Sequence, residues 1–215
     1  MTQSASEVRV RRATTDDAAW VASILRQAFS EYEQFYTEQG YAATTPGASE
    51  IVARMGQGPV WVAVHKKQIV GTGSVVPKPE GIYIRGMAVI PSARGLGIGR
   101  RLLDEIQHFA IAQGCARLFL STTPFLSTAI RLYEAFGFRR MNDGPHDLFG
   151  TPLFTMEKTV ALAIEEERRN PNLSDTAAKG CILLDKRSPR SYPYENLRCG
   201  RRRRARHSAS SPPRC

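Results

Sequence analysis

Three glycines, Gly95, Gly97 and Gly99, occupy five consecutive positions of this 215-residue chain, with Arg94 before them and Arg100 after them. Glycines allow successive backbone N–H groups to turn toward one anion, and a helix that begins at the same place directs the positive end of its dipole there. The segment is therefore suited to bind a diphosphate. A glycine-rich turn that only begins a helix is the alternative.

Two common phosphate-binding loops do not fit this segment. A P-loop requires Lys and then Ser or Thr after its last glycine, whereas Arg100, Arg101 and Leu102 follow here. A dinucleotide-binding loop counted from Gly95 requires glycine where Arg100 stands, and one counted from Gly97 requires glycine or alanine where Leu102 stands. Spacing therefore excludes both loops.

The segments on either side have the patterns of a strand and a helix. Residues 82–90 are rich in β-branched and apolar residues and precede Pro91, which is typical of a buried strand that ends in a turn. Apolar residues then recur at helical spacing from Ile98 to Ala110, and Gly114 offers a C-terminal stop. This order of strand, glycine turn and helix is the one that a phosphate-binding site requires.

A second strand and helix are predicted at residues 117–122 and 129–138. Tyr133 lies in the predicted helix, where an isolated tyrosine usually packs in the core with its hydroxyl at the edge. A chemical role for Tyr133 therefore depends on what the fold places beside it.

Both blocks resemble the GNAT N-acetyltransferase superfamily. The pattern R-x-x-G-x-G at residues 94–99 is similar to the family's acetyl-CoA pyrophosphate loop, and residues 87–89 match the strand before it. The pattern A-x-x-L-Y-x-x-x-G-F at residues 129–138 resembles the motif that brings a tyrosine hydroxyl beside the CoA sulfur. The resemblance covers about residues 7–160 and implies an α/β domain of GNAT fold, a mixed central sheet flanked by helices.

The resemblance also implies acetyl-CoA as the co-substrate, without a metal, and a set of residues that bind it. These are Met87, Ala88, Val89, Arg94, Gly95, Leu96, Gly97, Ile98, Gly99, Arg100, Leu126 and Tyr133. Leu126 stands where the family often has an asparagine that contacts the pantetheine arm, so this contact is missing or is supplied by Ser127.

Acetyl transfer from a thioester to an amine requires a neutral nucleophile, a polarised carbonyl and a proton for the departing thiolate. The resemblance implies that Tyr133 is the general acid. Backbone N–H groups near residues 87–89 would polarise the carbonyl if a splay or a bulge frees them from the sheet. Tyr83 replaces the family's usual base glutamate, and Glu80 is the nearest acidic substitute, so Tyr133, Tyr83 and Glu80 are the candidate catalytic residues.

Acidic and aromatic residues interleave where GNAT folds place the wall of the acceptor cleft. They are Glu31, Glu33, Glu38, Phe29, Tyr32, Phe35, Tyr36 and Tyr41. Such a wall suits a cationic amine. Packing between the first helices explains the aromatic residues equally well, and exposure to solvent explains the acidic ones better, so the acceptor stays open between a small-molecule amine and a peptide amine.

The elements before the glycine loop complete an α/β domain. An edge strand is predicted at residues 8–13, and helix caps follow before an apolar helical pattern. Residues 60–64 and 69–76 predict a hairpin, and residues 153–160 predict the last strand. The predicted order is one strand, two helices, three strands, then helix, strand, helix and strand.

The end of the chain differs in composition from this domain. Residues 161–215 hold thirteen Lys and Arg against six Asp and Glu, so +7 of the net charge of +10 lies there and +3 lies in residues 1–160. Its Arg, Ser and Pro content predicts a disordered tail after a domain of residues 1–160. Clustered arginines attract polyanions, so nucleic acid is a candidate partner through the tail only.

Composition also predicts the compartment. No apolar stretch reaches the roughly 20 residues that span a bilayer, and residues 1–12 lack the apolar core of a signal peptide. The chain is therefore predicted to be cytoplasmic, without a membrane partner. Cys115 alone of the four cysteines lies in the predicted domain, and the others lack metal-ligand spacing, so no metal site or disulfide framework is predicted.

Two other functions stay open beside acetyl transfer. One is a non-catalytic acyl-CoA-binding sensor, favoured by the missing glutamate, and the other is a nucleic-acid-associated protein that uses the basic tail. The sequence does not decide between a monomer and a homodimer.

Truncation after residue 169 is expected to leave the melting temperature and the acetyl-CoA affinity almost unchanged, because few buried contacts should cross the boundary after Val160. Differential scanning fluorimetry and calorimetric titration measure the two quantities. A melting temperature lowered by more than a few degrees would show that the tail packs against the domain.

Overall fold

The computed structural model describes residues 8–142 and 146–161, so the predicted tail lies outside the described residues apart from Ala161. The strands are β1 (Arg9–Arg12), β2 (Val60–His65), β3 (Gln68–Lys78), β4 (Gly81–Val89), β5 (Arg117–Thr122), β6 (Arg139–Arg140), β7 (His146–Leu148) and β8 (Thr151–Thr159). The helices are α1 (Ala18–Phe29), α2 (Glu38–Thr44), α3 (Ala48–Met55), α4 (Ile98–Ala112) and α5 (Ser127–Ala135).

The strands form one mixed sheet in the order β1-β2-β3-β4-β5-β8-β6, and β7 pairs with β8 outside this path. β4 and β5 are parallel, whereas the other paired strands are antiparallel. Only three residue pairs join β4 to β5, from Ile82 opposite Leu118 to Ile84 opposite Leu120. β4 continues to Val89 without β5 beside it, so the sheet opens between these two strands.

A β-bulge lies in the part of β4 that β5 has left. Ser74 of β3 pairs with Arg85 and Thr72 pairs with Ala88, so two residues of β4 stand opposite Gly73 alone. Gly86, the first of the two, has φ +61°, a left-handed conformation that favours glycine. The structure therefore has both the splay and the bulge on which carbonyl polarisation by residues 87–89 depends.

Each face of the sheet carries its own apolar core. On one face α4 packs its buried residues Leu102, Leu103 and Ile106 against the inward side chains of β4 and β5. On the other face α1 and α3 pack against the middle strands, with Leu25 and Ile51 among the buried residues. Burial of these apolar stripes fixes both layers of helices on the sheet.

Most of the predicted elements are present, but the prediction of two helices after the first strand is wrong. Three helices lie there, because Pro46 and Gly47 interrupt the helical stretch and separate α2 from α3. The prediction also omitted β6 and β7, which have two and three residues and are too short for an alternating pattern.

A buried carboxylate joins β1 to the turn before α1. Arg11 donates from Nη1 and Nη2 to the two carboxylate oxygens of Asp17 at 2.7 and 2.9 Å, and the Thr14 backbone N–H donates to Oδ2 at 2.8 Å. The hydrogen bonds from Arg11 hold the pKa of Asp17 below its ordinary value, although partial burial opposes them.

Asp17→Ala is expected to lower the free energy of unfolding by about 1–3 kcal/mol, because it removes the acceptor of four hydrogen bonds, two of them from a charged group. Urea denaturation measures the loss. Asp16→Ala is the matched control, since Asp16 is exposed in the same turn.

The pH dependence of this difference has a definite sign. The pKa of Asp17 is lowered in the folded state, so its stabilisation is complete above the unfolded pKa of about 3.9 and is lost as the pH falls through the lower folded value. The gap between Asp17→Ala and the parent should therefore shrink below about pH 4. A gap that widens there would contradict the assignment.

Candidate active site

An open cleft of about 750 Å³ lies where β4 and β5 separate. The end of α1 and the turn after it form one wall, and the glycine loop with the start of α4 and the inner face of α5 forms the other. The bulged part of β4 lies between the two walls, and Thr122 and Thr123 contribute from the end of β5. The cleft is thus a direct result of the opened sheet.

The glycine loop leaves space for a ligand at the start of α4. Gly95 and Gly97 have φ +81° and +72°, and a Cβ built on either one would meet no atom within 4 Å. These positions therefore require glycine for their conformation, while the space beside them is open.

Backbone donors at the start of α4 point to an anion. The first hydrogen bond of the helix runs from the Arg101 N–H to the Gly97 carbonyl at 3.1 Å. Within the described parts of the chain, the N–H groups of residues 97–100 donate no hydrogen bond. Unsatisfied N–H groups at the positive end of a helix dipole form a site for a phosphate group.

Gly99 brings α4 and α5 close together. A Cβ at this position would lie 2.6 Å from Leu132 Cδ2, so a larger residue would displace the Leu132 side chain. Gly99 therefore has a packing role as well as a place in the loop.

The cleft gathers nearly all of the residues that the sequence assigned to the cofactor. Those that line it are Met87, Ala88, Val89, Arg94, Gly95, Gly97, Ile98, Gly99, Arg100, Leu126 and Tyr133. Leu96 is the exception, because it is 47% exposed and does not line the cleft. Ser127, proposed from sequence as a substitute contact, is exposed and also lies outside the lining.

A backbone donor of β4 faces the opening. The Ile90 N–H donates to the Val70 carbonyl of β3 at 3.0 Å. Because N–H directions alternate along a strand, the Val89 N–H turns to the other side, which β5 has left. This N–H is available to a ligand that lies between the strands.

The predicted acidic wall of the cleft does not form. Glu31 makes a salt bridge with Arg94, whose hydrogen bond lowers the pKa of that carboxyl. Glu33 and Glu38 are exposed and do not line the cleft. Arg94 also donates to the Ala28 carbonyl at 3.3 Å, so Glu31 and the end of α1 hold this arginine at the cleft edge.

The aromatic part of the prediction agrees better with the structure. Phe29, Tyr32 and Tyr36 line the cleft, and the Tyr36 ring meets Phe125 edge to face with centroids 4.9 Å apart. Phe35 is 53% exposed and, like the half-buried Tyr41, packs beside these rings without lining the cleft.

Three tyrosines approach one another in the cleft. Tyr133 is only 6% exposed and its ring packs against Phe138 with centroids 5.8 Å apart. Burial raises the pKa of Tyr133 far above its ordinary value, and the nearby phenols of Tyr83 and Tyr36 raise it further. The Tyr133 hydroxyl therefore stays protonated well above neutral pH.

Thr123 brings a buried hydroxyl to the same region. Its Oγ1 is buried without a hydrogen bond of good geometry to any described residue, although it lies close to the Tyr36 hydroxyl. Sequence analysis did not single out Thr123, because a threonine at the end of a strand has no distinctive pattern.

The two candidate bases differ in position. Tyr83 is half-buried, lines the cleft and packs on Phe119 with centroids 5.2 Å apart. Glu80 is exposed in the turn between β3 and β4 and does not line the cleft. Among the described residues, no Asp, Glu or His lines the cleft.

Two cleft arginines were missed as functional candidates. Arg54 lies on α3 and Arg85 lies on β4, directly before the bulge. The signal for Arg85 was present, since a charged residue two positions after Tyr83 lies on the same face of the strand. Arg54 had no such signal, because its place in the cleft depends on how α3 packs.

The described residues contain no group of three or more His, Cys, Asp or Glu side chains that could hold a metal ion. None of their helices is long and apolar enough to cross a membrane.

Comparison with known proteins identifies the family. The model of the acetyltransferase (GNAT) family matches residues 21–138, more than half of the chain. The chain is a GNAT-family acetyltransferase. An uncharacterized N-acetyltransferase of Escherichia coli, YjgM, is 30% identical over 62% of this chain and 83% of its own length. An IAA acetyltransferase of Azospirillum brasilense is 40% identical over 41% of this chain and 58% of its own length.

A solved structure confirms the fold. The PaiA N-acetyltransferase of Thermoplasma acidophilum, determined in complex with coenzyme A, aligns with a TM-score of 0.59 at 18% identity. The alignment covers 71% of this chain and 99% of that chain. The predicted α/β GNAT fold, a mixed sheet flanked by helices, is therefore confirmed.

Proposed function

We propose that this GNAT acetyltransferase transfers the acetyl group of acetyl-CoA directly to an amine acceptor. One observation carries the proposal: the open start of α4, the unpaired edge of β4 and the buried Tyr133 line the same cleft. The diphosphate of acetyl-CoA would lie at the N–H groups of residues 97–100, beside Arg94 and Arg100. Coenzyme A in the Thermoplasma acidophilum structure supports this choice of co-substrate.

The thioester would lie in the gap between β4 and β5. An N–H of residues 87–89 would donate to the acetyl oxygen and polarise the carbonyl, with Val89 turned toward the gap. The buried Thr123 hydroxyl near the gap would supply a polar contact in place of the asparagine replaced by Leu126. A donor that is fixed before the reaction stabilises the developing oxyanion without a cost of reorganisation.

Tyr133 would act as the general acid. The amine nitrogen forms a bond to the carbonyl carbon, the C–S bond breaks, and the thiolate takes the proton of the Tyr133 hydroxyl. The nitrogen loses its extra proton to water, and Tyr133 regains a proton from solvent. The hydroxyl enters the reaction protonated, as a tyrosine phenol does at neutral pH.

The acceptor amine would reach the thioester in its neutral form. A Lys-like amine has a pKa of about 10.4, so its deprotonation at pH 7 costs about 4–5 kcal/mol. Since no carboxylate or histidine of the described residues lines the cleft, we propose that water removes this proton. The phenol of Tyr83 lines the path that this water would take and would orient it.

The same lack of a carboxylate favours a second candidate, a sensor that binds acetyl-CoA without transferring the acetyl group. Such a protein would bind acetyl-CoA and release no thiol with any amine. A role of the basic tail with nucleic acid stays a prediction from sequence, because the tail lies outside the described residues.

Gly97→Glu is expected to abolish measurable acetyl-CoA binding, because it places a carboxylate where the backbone should meet a diphosphate. Gly114→Glu is the matched control. Gly114 ends the turn after α4, has φ +66° beside +72° for Gly97, and is equally open, so the two variants share the same backbone strain. Calorimetric titration gives the affinity, and circular dichroism checks the fold. Equal affinities in the two variants would remove the diphosphate assignment.

Tyr133→Phe is expected to lower kcat toward the lower end of the 10²–10⁴-fold range typical of general acid catalysis, since water would replace the acid in part. The ring would still pack on Phe138, so the melting temperature and the KM for acetyl-CoA should change little. Thiol release under chemistry-limited conditions measures kcat. An unchanged kcat would favour the sensor.

The pH profile provides a separate check of the acid. In the parent enzyme kcat/KM should rise with pH as the acceptor loses its proton, and it should not fall near pH 10, because the pKa of Tyr133 is raised above the ordinary tyrosine value of about 10. A descending limb near pH 9–10 that vanishes in Tyr133→Phe would show instead an unperturbed phenol.

A further inference from the structure

Two arginines lie close together in the cleft and have no salt-bridge partner among the described residues. Arg54 and Arg85 both line the cleft and are half-buried. The salt bridges among the described residues involve neither of them, so no described carboxylate lies within 4 Å of either guanidinium. Two partly buried like charges are unfavourable unless an anion joins them.

The two side chains are held in place by neutral acceptors. Arg54 Nη2 donates to the Ala43 carbonyl at 2.9 Å, and Arg85 Nη2 donates to Gln57 Oε1 at 2.8 Å and to the Arg54 carbonyl at 3.5 Å. The Arg85 Nε is buried and has no hydrogen-bond partner among the described residues. A guanidinium has five N–H donors, so most donors of this pair have no hydrogen-bond acceptor among the described residues.

The electrostatics agree with this geometry. Burial lowers the pKa of Arg54 and of Arg85, and the charge of Arg54 lowers the pKa of Arg85 further. Glu50, whose charge favours the charged form of Arg54, accepts a hydrogen bond from the Gly47 N–H at 2.9 Å. A bound anion would offset the repulsion between the two arginines.

The arginine pair is separate from the diphosphate site. Arg85 precedes the end of β4 at Val89 by four residues, a span of at most about 13 Å at 3.3 Å per residue because the bulge shortens it, and the glycine loop lies beyond that end. Tyr83 influences the pKa of Arg54, of Arg85 and of Tyr133, so its phenol lies near both the arginine pair and the buried hydroxyl of Tyr133. An anion at the pair would therefore belong to the acceptor.

We propose that Arg54 and Arg85 bind a carboxylate of the acceptor, which is therefore an amine that carries a carboxylate, as an amino acid does. This inference rests on the proposed acetyl transfer. Guanidinium groups match a carboxylate through paired N–H donors, and the binding would place the amine beside the bulge of β4. The cleft, without acidic lining, has the charge for such an acceptor and not for a polyamine.

The first experiment compares matched acceptors in the full-length protein. Thiol release from acetyl-CoA is measured with the proteinogenic L-amino acids and β-alanine, each beside its carboxamide, and with spermidine, at equal concentrations of neutral amine. The best carboxylate acceptor is expected to exceed its carboxamide and spermidine at least tenfold in kcat/KM. An equal or better rate with carboxylate-free amines would overturn the subsite and leave acetyl transfer intact.

The second experiment changes the arginines. Arg54→Gln and Arg85→Gln are each expected to raise the KM for the carboxylate acceptor by about 10–100-fold, the range for lost hydrogen bonds to a charged group. The KM for acetyl-CoA should stay constant, and the preference over the carboxamide should disappear. Arg9→Gln, at an exposed position of β1 outside the cleft, controls for the change in net charge. Lysine variants at both positions keep the charge, and they replace the glutamine variants in this experiment if a glutamine variant does not fold.

A binding measurement separates the two proposals. The amino acids of the panel are titrated into protein saturated with CoA. Binding that requires Arg54 and Arg85 without any thiol release would support the subsite and reject acetyl transfer. No arginine-dependent binding and no preference for carboxylates would overturn the subsite.

Discussion

The short pairing between β4 and β5 is the constraint on which the cleft depends. Hydrogen bonds hold the two parallel strands together over three residue pairs, and the buried side chains of Ile82, Ile84, Leu118 and Leu120 fix them at that end. Beyond Ile84 the strands diverge, so one edge of β4 has no partner strand. Such an edge normally promotes aggregation, but here it lies inside a cleft whose walls restrict access to it. The backbone groups of this unpaired edge are therefore accessible to a ligand that enters the cleft.

The positive charge of the cleft is concentrated at its two ends. Arg94 and Arg100 lie beside the start of α4, and Arg54 and Arg85 lie on the opposite side of the bulge. Aromatic rings and the apolar side chains of β4 lie between them. A substrate pair with negative charge at both ends and a neutral reacting centre fits this distribution, because each anion lies near a separate pair of guanidinium groups.

Sequence analysis succeeded where a signal is local. The glycine loop, α4 and Tyr133 each belong to a short segment whose spacing specifies both the element and its place in the fold. Leu96 shows the limit of this approach, because its side chain is exposed to solvent although the residue lies within the glycine loop. The assignment of residues to individual steps of the reaction remains a prediction.

What sequence analysis missed depends on contacts between distant segments. Arg54 and Arg85 are 31 residues apart and meet only because α3 packs beside β4. Glu31 carries the acidic charge that was predicted for the acceptor wall, yet it pairs with Arg94, 63 residues later. Residue types at these positions were visible, but their partners follow from packing that no single segment encodes.

The close approach of Gly99 and Leu132 brings the start of α4 near the helix that carries Tyr133. Gly99 lies in the first turn of α4, where the diphosphate is proposed to bind, and Leu132 directly precedes Tyr133 on α5. The distance from the phosphate end of a bound thioester to its sulfur is a fixed property of the ligand. In the proposed complex the spacing of α4 and α5 must suit that length, and the absence of a side chain at Gly99 leaves room for Leu132 between the two helices. A larger residue at position 99 would therefore affect how the whole length of the proposed ligand fits, in addition to the packing of Leu132.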